Sequence, residues 1–237
     1  MADFQHGITA RLYYHTMPMA PHTESIEFAL ERSVAEYRPM ETSVRRIAGL
    51  RDARLVLTGG ALTTDYDLFA WERYVAADPA QWAFMPAGDV LGNPAYVGVS
   101  IGENQQRVAG DDVIRLPVAL VSSHDVDRGE VLYPLTTVVA GGSSAHLDNG
   151  AASTDGLDAY LHCTAIDDTA PELTVTIEQA ADPGGPWTTL VGTFTAITTP
   201  ETQIKSVAGA VSRYLRATWT LTGTDPTATF FVAVVRH

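Results

Sequence analysis

From residue 158 to the C-terminus, short alternating runs are cut by turn clusters, and that punctuation leaves little room for anything but an antiparallel β-sandwich. Leu173-Thr-Val-Thr-Ile177 alternates with period two, the spacing that puts successive side chains on opposite faces of a strand. Asp167–Pro171 and Ala181–Pro186 are rich in Asp, Gly and Pro and break the runs. The strands expected here are Asp158–Ile166, Leu173–Ile177, Trp187–Phe194, Gln203–Val207, Tyr214–Thr222 and Ala228–Val235. No segment between them is long enough, or spaced suitably, for a helix.

Upstream, strands are expected over Ala10–Tyr14, Ser25–Arg32, Arg54–Thr58, Ala95–Ile101, Asp112–Val121 and Val131–Ala140. One segment differs. Thr64 offers a capping hydroxyl, Asp65 and Asp67 follow, and Leu68, Trp71 and Val75 recur at i, i+3, i+7. This predicts one helix from about 65 to 77, stopped by Asp78-Pro79 and covering a sheet. Residues 140–156 are small and turn-forming, with Asn149-Gly150 a strong turn pair. The expected organisation is a β-sandwich domain with one packing helix over 1–142, a linker over 143–157, and a second small β-sandwich over 158–237.

Composition narrows the function. Apolar residues make up 46% of the 237, enough to build a core. The formal net charge is −13, and both halves of the chain hold more acids than bases. Wrapping nucleic acid needs clustered cations, so such a grip is not expected. Lys205 is the only lysine; every other cation is an arginine. One cysteine excludes a disulfide framework and a cysteine zinc site. No apolar run is long enough to cross a membrane as a helix. Met1–His6 has neither the basic start nor the apolar stretch of a signal peptide. The expectation is a soluble protein folded in a reducing compartment.

Motifs that could carry chemistry are sparse. Gly98-Val-Ser-Ile-Gly102 matches the nucleophile-elbow pattern, but the helix that should follow Ser100 is absent. Asp125, Asp127 and Glu130 resemble part of a calcium loop without its full oxygen set, and read more simply as a polar hairpin between Asp112–Val121 and Val131–Ala140. His162 and Cys163 are adjacent on a strand, so they face apart and form no dyad; one packed and one surface residue are expected. Neither a phosphate cradle nor an H-x-x-x-H pair occurs. The aromatics Tyr13, Tyr14, Trp71, Trp82 and Trp187 are not interleaved with cations as a base-stacking platform would be. No cofactor, metal or catalytic residue is expected. In segment 24–34, Ile26, Phe28 and Leu30 share one strand face, while Glu27, Ala29 and Glu31 share the other.

Met1-Ala-Asp-Phe-Gln-His-Gly7, the Glu31–Gly49 stretch and Gly49-Leu-Arg-Asp-Ala-Arg-Leu-Val-Leu-Thr-Gly59 resemble, in that order, the major tail tube proteins of long-tailed bacteriophages. The helix after Thr64 falls in the same order. Ala159-Tyr-Leu-His, Val175-Thr-Ile-Glu, Trp187-Thr-Thr-Leu-Val, Tyr214-Leu-Arg-Ala-Thr-Trp and Phe231-Val-Ala-Val resemble the immunoglobulin-like or jelly-roll-like module that decorates many such tails. Where relatives carry a Thr-rich stretch and a Phe-Gly, this chain carries Tyr37-Arg-Pro-Met-Glu-Thr-Ser-Val-Arg-Arg46. Its contacts between rings are therefore expected to differ in chemistry.

The resemblance implies a structural virion protein. Its subunits would form hexameric rings that stack into the tail tube, through which double-stranded DNA passes without specific binding. The partners implied are further copies of the chain and the tape measure, tail terminator and distal tail proteins, with assembly in the host cytoplasm and no membrane. Glu27 and Glu31 become lumen candidates, since an anionic wall does not pair with phosphates. Glu36, Arg38, Glu41, Arg45 and Arg46, in a loop from about Ser33 to Ala48, become inter-ring candidates. Residues 158–237 would be dispensable for assembly. Two other readings stand beside this one: a receptor- or carbohydrate-binding tail protein acting through its C-terminal sandwich, and a serine hydrolase built on Ser100.

Overall fold

The computed structural model describes residues 9–37, 45–58, 63–76, 79–105, 108–109, 114–123, 126–167 and 171–237. It is mainly β, with curled antiparallel sheets of β-sandwich type. The first elements are β1 (Arg11–Tyr14), β2 (Met17–Pro18), β3 (Ser25–Tyr37), β4 (Arg45–Thr58), helix α1 (Thr64–Ala76) and β5 (Ala80–Met85). Next come β6 (Pro94–Gln105), β7 (Val108–Ala109), β8 (Ile114–Arg115), β9 (Val118–Ser122), β10 (Asp127–Val138), β11 (Gly142–Ser143) and β12 (Leu147–Asp148). The last are β13 (Leu157–Asp167), β14 (Glu172–Ala180), β15 (Thr188–Val191), β16 (Glu201–Val207), β17 (Tyr214–Thr222) and β18 (Thr227–Arg236). The chain divides into two compact units, one of Met1–Pro18, Ala83–Val97 and Asp127–His237, the other of Met19–Trp82 and Gly98–Val126.

The first unit is a sandwich whose first sheet curls back on itself. One sheet runs β16-β13-β18-β10 and continues through the part of β6 before Gly98 to β5, β1 and β2. A second sheet runs β11-β17-β14-β15, with β12 also on β17. Between them lies a core of alternating residues. Leu157, Ala159, Leu161 and Cys163 of β13 meet Val175 and Ile177 of β14 and Leu215 and Ala217 of β17. The opposite face of the first sheet is covered too: Tyr160, Phe231, Ala233 and Val235 pack with Tyr13, Met85, Ala95 and Val131. This two-sided burial is why β18 reads Phe-Phe-Val-Ala-Val-Val with no polar alternation.

The division of the chain departs from the expected 1–142, 143–157 and 158–237. The segment read as a linker carries β11 and β12, both paired with β17, and Ser153 bridges Val211. Gly142 explains part of this: a Cβ there would lie 3.0 Å from the Trp219 ring, so its bare backbone lets the indole close over the strand. Residues 158–237 are not self-contained either. β18 pairs with β10 from Glu130↔Val234 to Val138↔Ala228, and shares a core with Tyr13 and Met85. A chain cut near Asn149 would lose β13, β16 and β18 from this sheet, and with them the pairing partner of β10.

The second unit is built on a long hairpin. β3 and β4 pair from Ser25↔Thr58 to Tyr37↔Arg45, with a register shift between Arg32 and Val34. β4 also pairs with β9 over Arg54–Leu57, and β9 with β6. The polar hairpin expected between 112–121 and 131–140 is absent, because β9 pairs with β4 and β6 whereas β10 pairs with β18 and the start of β6. Leu55, Leu57, Leu116, Leu120 and Trp82 are buried, and Phe28 meets Trp82 edge-on at 5.9 Å. Gly98 is required where it stands, since a Cβ would lie 3.0 Å from the Trp82 ring.

Helix α1 starts as its sequence predicts, but its cap is Thr63 rather than Thr64. The backbone N–H of Tyr66 donates to Thr63 Oγ1 at 3.2 Å, satisfying one of the free donors of the first turn. Thr63→Ala is expected to destabilise this unit by ~1 kcal/mol, read as a lowered denaturant midpoint with unchanged slope.

Candidate assembly surface

The face of α1 that packs inward is not the expected one. Tyr66 and Ala70, at i and i+4, are its buried residues. The Tyr66 hydroxyl donates to the Leu116 carbonyl at 3.3 Å, and its ring stacks on His22 at 4.8 Å. Burial pushes the Tyr66 hydroxyl pKa up to about 12, so it stays a donor. Ala70, one turn on, lets the helix approach closely.

At 100° per residue, Leu68, Trp71 and Val75 lie roughly half a turn round from Tyr66. They face solvent: Leu68 is 55% exposed, Trp71 52%, Tyr74 51% and Val75 60%. The Trp71 and Tyr74 rings lie 6.3 Å apart, so the patch is contiguous. The i, i+3, i+7 stripe that predicted a core-facing surface is real, but it is the outer surface. Large contiguous apolar patches mark contact sites, whereas scattered apolar residues do not.

The hairpin supplies a second surface. Among the described residues, β3 pairs only with β4, and β4 pairs with β9 only as far as Arg54. Residues 45–53 of β4 and their β3 partners thus form a two-stranded arm, roughly 30 Å long at strand rise, with both outer edges unpaired. Such edges are templates for further pairing unless another surface covers them. Leu30, where the arm leaves the sheet, is 56% exposed, although Ile26 and Phe28 on the same face are half-buried.

The candidate residues divide accordingly. Glu27 is exposed, and register places Glu27, Ala29 and Glu31 on one face with Val56, Arg54 and Asp52. Glu31 stands directly across from Asp52, a second acid on that face that periodicity within one strand could not reveal. Glu36 pairs across from Arg46, and Tyr37 from Arg45. Arg38 and Glu41 lie outside the described residues. The expected loop from Ser33 to Ala48 is a correction: 33–37 and 45–48 belong to paired strands, and 38–44 lie outside the described residues.

The remaining motifs separate from any site. Ser100 lies within β6, fully buried, instead of on a turn before a helix; a nucleophile there has no elbow. Asp125 lies outside the described residues, while Asp127 and Glu130 sit on β10. Among the described residues no group of three His, Cys, Asp or Glu is placed to hold a metal. His162 and Cys163 do face opposite ways, but both are buried, because β13 is covered on both faces. Burial pushes the Cys163 thiol up to about 12, an inert, protonated group. No helix among the described residues is long and apolar enough to cross a membrane.

No family model matches the chain, and no curated protein matches it. Among solved structures it is similar to the Dit protein of phage SPP1, described as a paradigm of the hub adsorption apparatus in phages infecting Gram-positive bacteria. That likeness has 8% identity over 96% of this chain and 99% of that one, with a TM-score of 0.33. It is also similar to a chain of the phage P2 baseplate in its activated, calcium-containing conformation, with 8% identity over 96% and 98% and a TM-score of 0.34. At this level no residue role passes from those proteins to this chain.

Proposed function

We propose that the chain is a structural, non-catalytic virion protein of a long-tailed phage, assembling into stacked hexameric rings that form the tail tube. The observation that carries the reading is that one unit presents both the outward apolar face of α1 and a hairpin arm whose edges have no strand partner among the described residues. A subunit made to be surrounded by copies of itself exposes such surfaces; one that works alone normally covers them. The order of motifs resembling tail tube proteins agrees with this. In the assembly, the α1 face is the contact between neighbours in a ring. The arm, with Glu36, Arg38, Glu41, Arg45 and Arg46, is the contact between rings.

The face carrying Glu27 and Glu31, now joined by Asp52, lines the lumen in this reading. Three carboxylates against one guanidinium, Arg54, keep this face net anionic, so DNA phosphates meet few cationic partners and the genome slides without specific binding. Tape measure, tail terminator and distal tail proteins bound the tube, and the rings form in the host cytoplasm.

Negative-stain microscopy of the purified chain tests this directly. Six-fold rings or long tubes are the expected result; a monomer or trimer at every concentration overturns it. Arg45→Glu with Arg46→Glu is expected to leave rings but shorten or abolish tubes, because charge reversal turns paired contacts repulsive. Tubes of normal length in that double variant would remove the arm from the ring-to-ring contact.

A further inference from the structure

The outer face of the sheet β14–β17 carries a row of side chains that assembly does not use. Register sets Thr174 across from Thr220, Thr176 from Thr218 and Glu178 from Arg216, all on the face away from the core residues Val175, Ile177 and Ala217. The Thr174 and Thr220 hydroxyls bond each other, and these four threonines line a shallow depression. At one end of the row the chemistry changes. The Arg216 guanidinium lies over the Trp187 ring, 4.3 Å from its centroid. Its Nε and Nη2 both donate to Glu178 Oε2, at 2.7 and 2.6 Å.

A second pair of the same design sits alongside. Arg213 donates through Nε and Nη2 to the two oxygens of Asp148, at 2.6 and 2.7 Å, and lies 5.0 Å from the Tyr214 ring centroid. The Arg213 bond, joined by one from the Gly150 N–H at 2.8 Å, holds the Asp148 carboxyl down at about 2. The exposed His146 ring links the two pairs, 6.3 Å from Trp187 and 5.4 Å from Tyr214.

We propose that Trp187, His146, Arg216, Glu178, Arg213 and Asp148 form a binding site for a neutral oligosaccharide, extended by the threonine row. A sugar presents vicinal hydroxyls that both donate and accept, and an apolar C–H face that packs on an aromatic ring. Two fixed guanidinium–carboxylate forks offer donors and acceptors side by side, already oriented, so little side-chain entropy is lost on binding. Each arginine is neutralised by its acid, so a phosphate polymer would have to break a pair to bind, whereas a neutral polyol would not. From Arg216 to Thr220 the row runs roughly 13 Å along β17, which suits a chain of sugars better than a single one. The site stands independently of the assembly reading.

Titration of the full chain, followed by tryptophan fluorescence, uses three neutral probes: an α-1,4-glucan hexamer, a β-1,4-glucan hexamer and an N-acetylglucosamine tetramer. At least one is expected to bind with a Kd of ~10⁻³ to 10⁻⁵ M. Trp187→Ala should weaken that binding at least ~10-fold, as loss of one buried aromatic contact does. His146→Ala, at an exposed position where substitution costs little stability, should weaken it several-fold, whereas the α1 variant Trp71→Glu should not. Failure of all three probes at ~10 mM overturns the proposal. So does equal binding by Trp187→Ala and His146→Ala, or binding confined to a polyanion such as dextran sulfate. A chain that never forms rings yet binds the probe refutes the assembly reading alone.

Discussion

A chain carrying Leu68→Glu and Trp71→Glu is expected to stay folded, to remain monomeric at concentrations where the natural chain forms rings, and to show no tubes by electron microscopy. The two halves of that expectation rest on different measurements. Both side chains are more than half exposed in the single chain, so glutamates there replace solvent contacts with solvent contacts. The cost to the folded subunit should stay within about 0.5 kcal/mol, read as an unchanged thermal midpoint. In a ring the same side chains would be buried. With about half of each side chain still to be buried, each contributes ~1 kcal/mol through removal from water, and an unpaired carboxylate in the same place adds a desolvation cost of at least ~1 kcal/mol. Together they should weaken each subunit contact by at least ~4 kcal/mol, roughly a thousandfold, and a closed ring multiplies the loss over its contacts. Rings of the double variant at the natural assembly concentration would exclude this face. A collapsed thermal midpoint would instead show that α1 turns this side toward its own unit.

That expectation reverses a sequence inference, and the reason is instructive. The bounds of α1 were legible from the 3.6-residue spacing, Tyr214–Thr222 from alternation, and Ala228–Val235 from a short apolar run rich in β-branched and aromatic residues. Which stripe of α1 faces inward was not. The anchoring bond runs from Tyr66 to Leu116, fifty residues away, and periodicity within a helix carries no information about it. β5 was missed for a related reason. Trp82, Ala83, Phe84 and Met85 are all buried, so apart from Gln81 the strand has no polar position and shows no alternation. The threonine row shows the opposite case. Its alternation correctly gave β14 and β17, but the joining of Glu178 to Arg216, and of Arg216 to Trp187, needed those two strands and the segment leading into β15 brought together. Local pattern decides that a segment is a strand; long-range pairing decides what its outward side chains can do.

His162 should make the chain lose stability in mild acid. It is fully buried, stacked on Phe231 with ring centroids 4.6 Å apart, and its Nδ1–H donates to the His15 carbonyl at 3.0 Å. That bond fixes the neutral tautomer, and Nε2 has no hydrogen-bond partner among the described residues. A proton added at Nε2 would place a buried charge with no acceptor, so burial lowers the pKa from 6.5 to about 4. Between those values the unfolded chain takes up a proton that the folded chain refuses. Stability is therefore full above about pH 6.5 and falls as pH drops toward 4, by up to ~3 kcal/mol at 1.36 kcal/mol per unit. Carboxylates titrate over the lower part of that range, so the comparison that isolates the group is with His162→Phe. A phenyl ring keeps the stack on Phe231 and gives up one hydrogen bond, about 1 kcal/mol at neutral pH. Denaturant midpoints measured from pH 7.5 to 4.5 should converge, the natural chain losing its advantage and then falling below the variant. Parallel curves for the two chains would mean that His162 accepts its proton in the folded state, and that the buried stack is open to water.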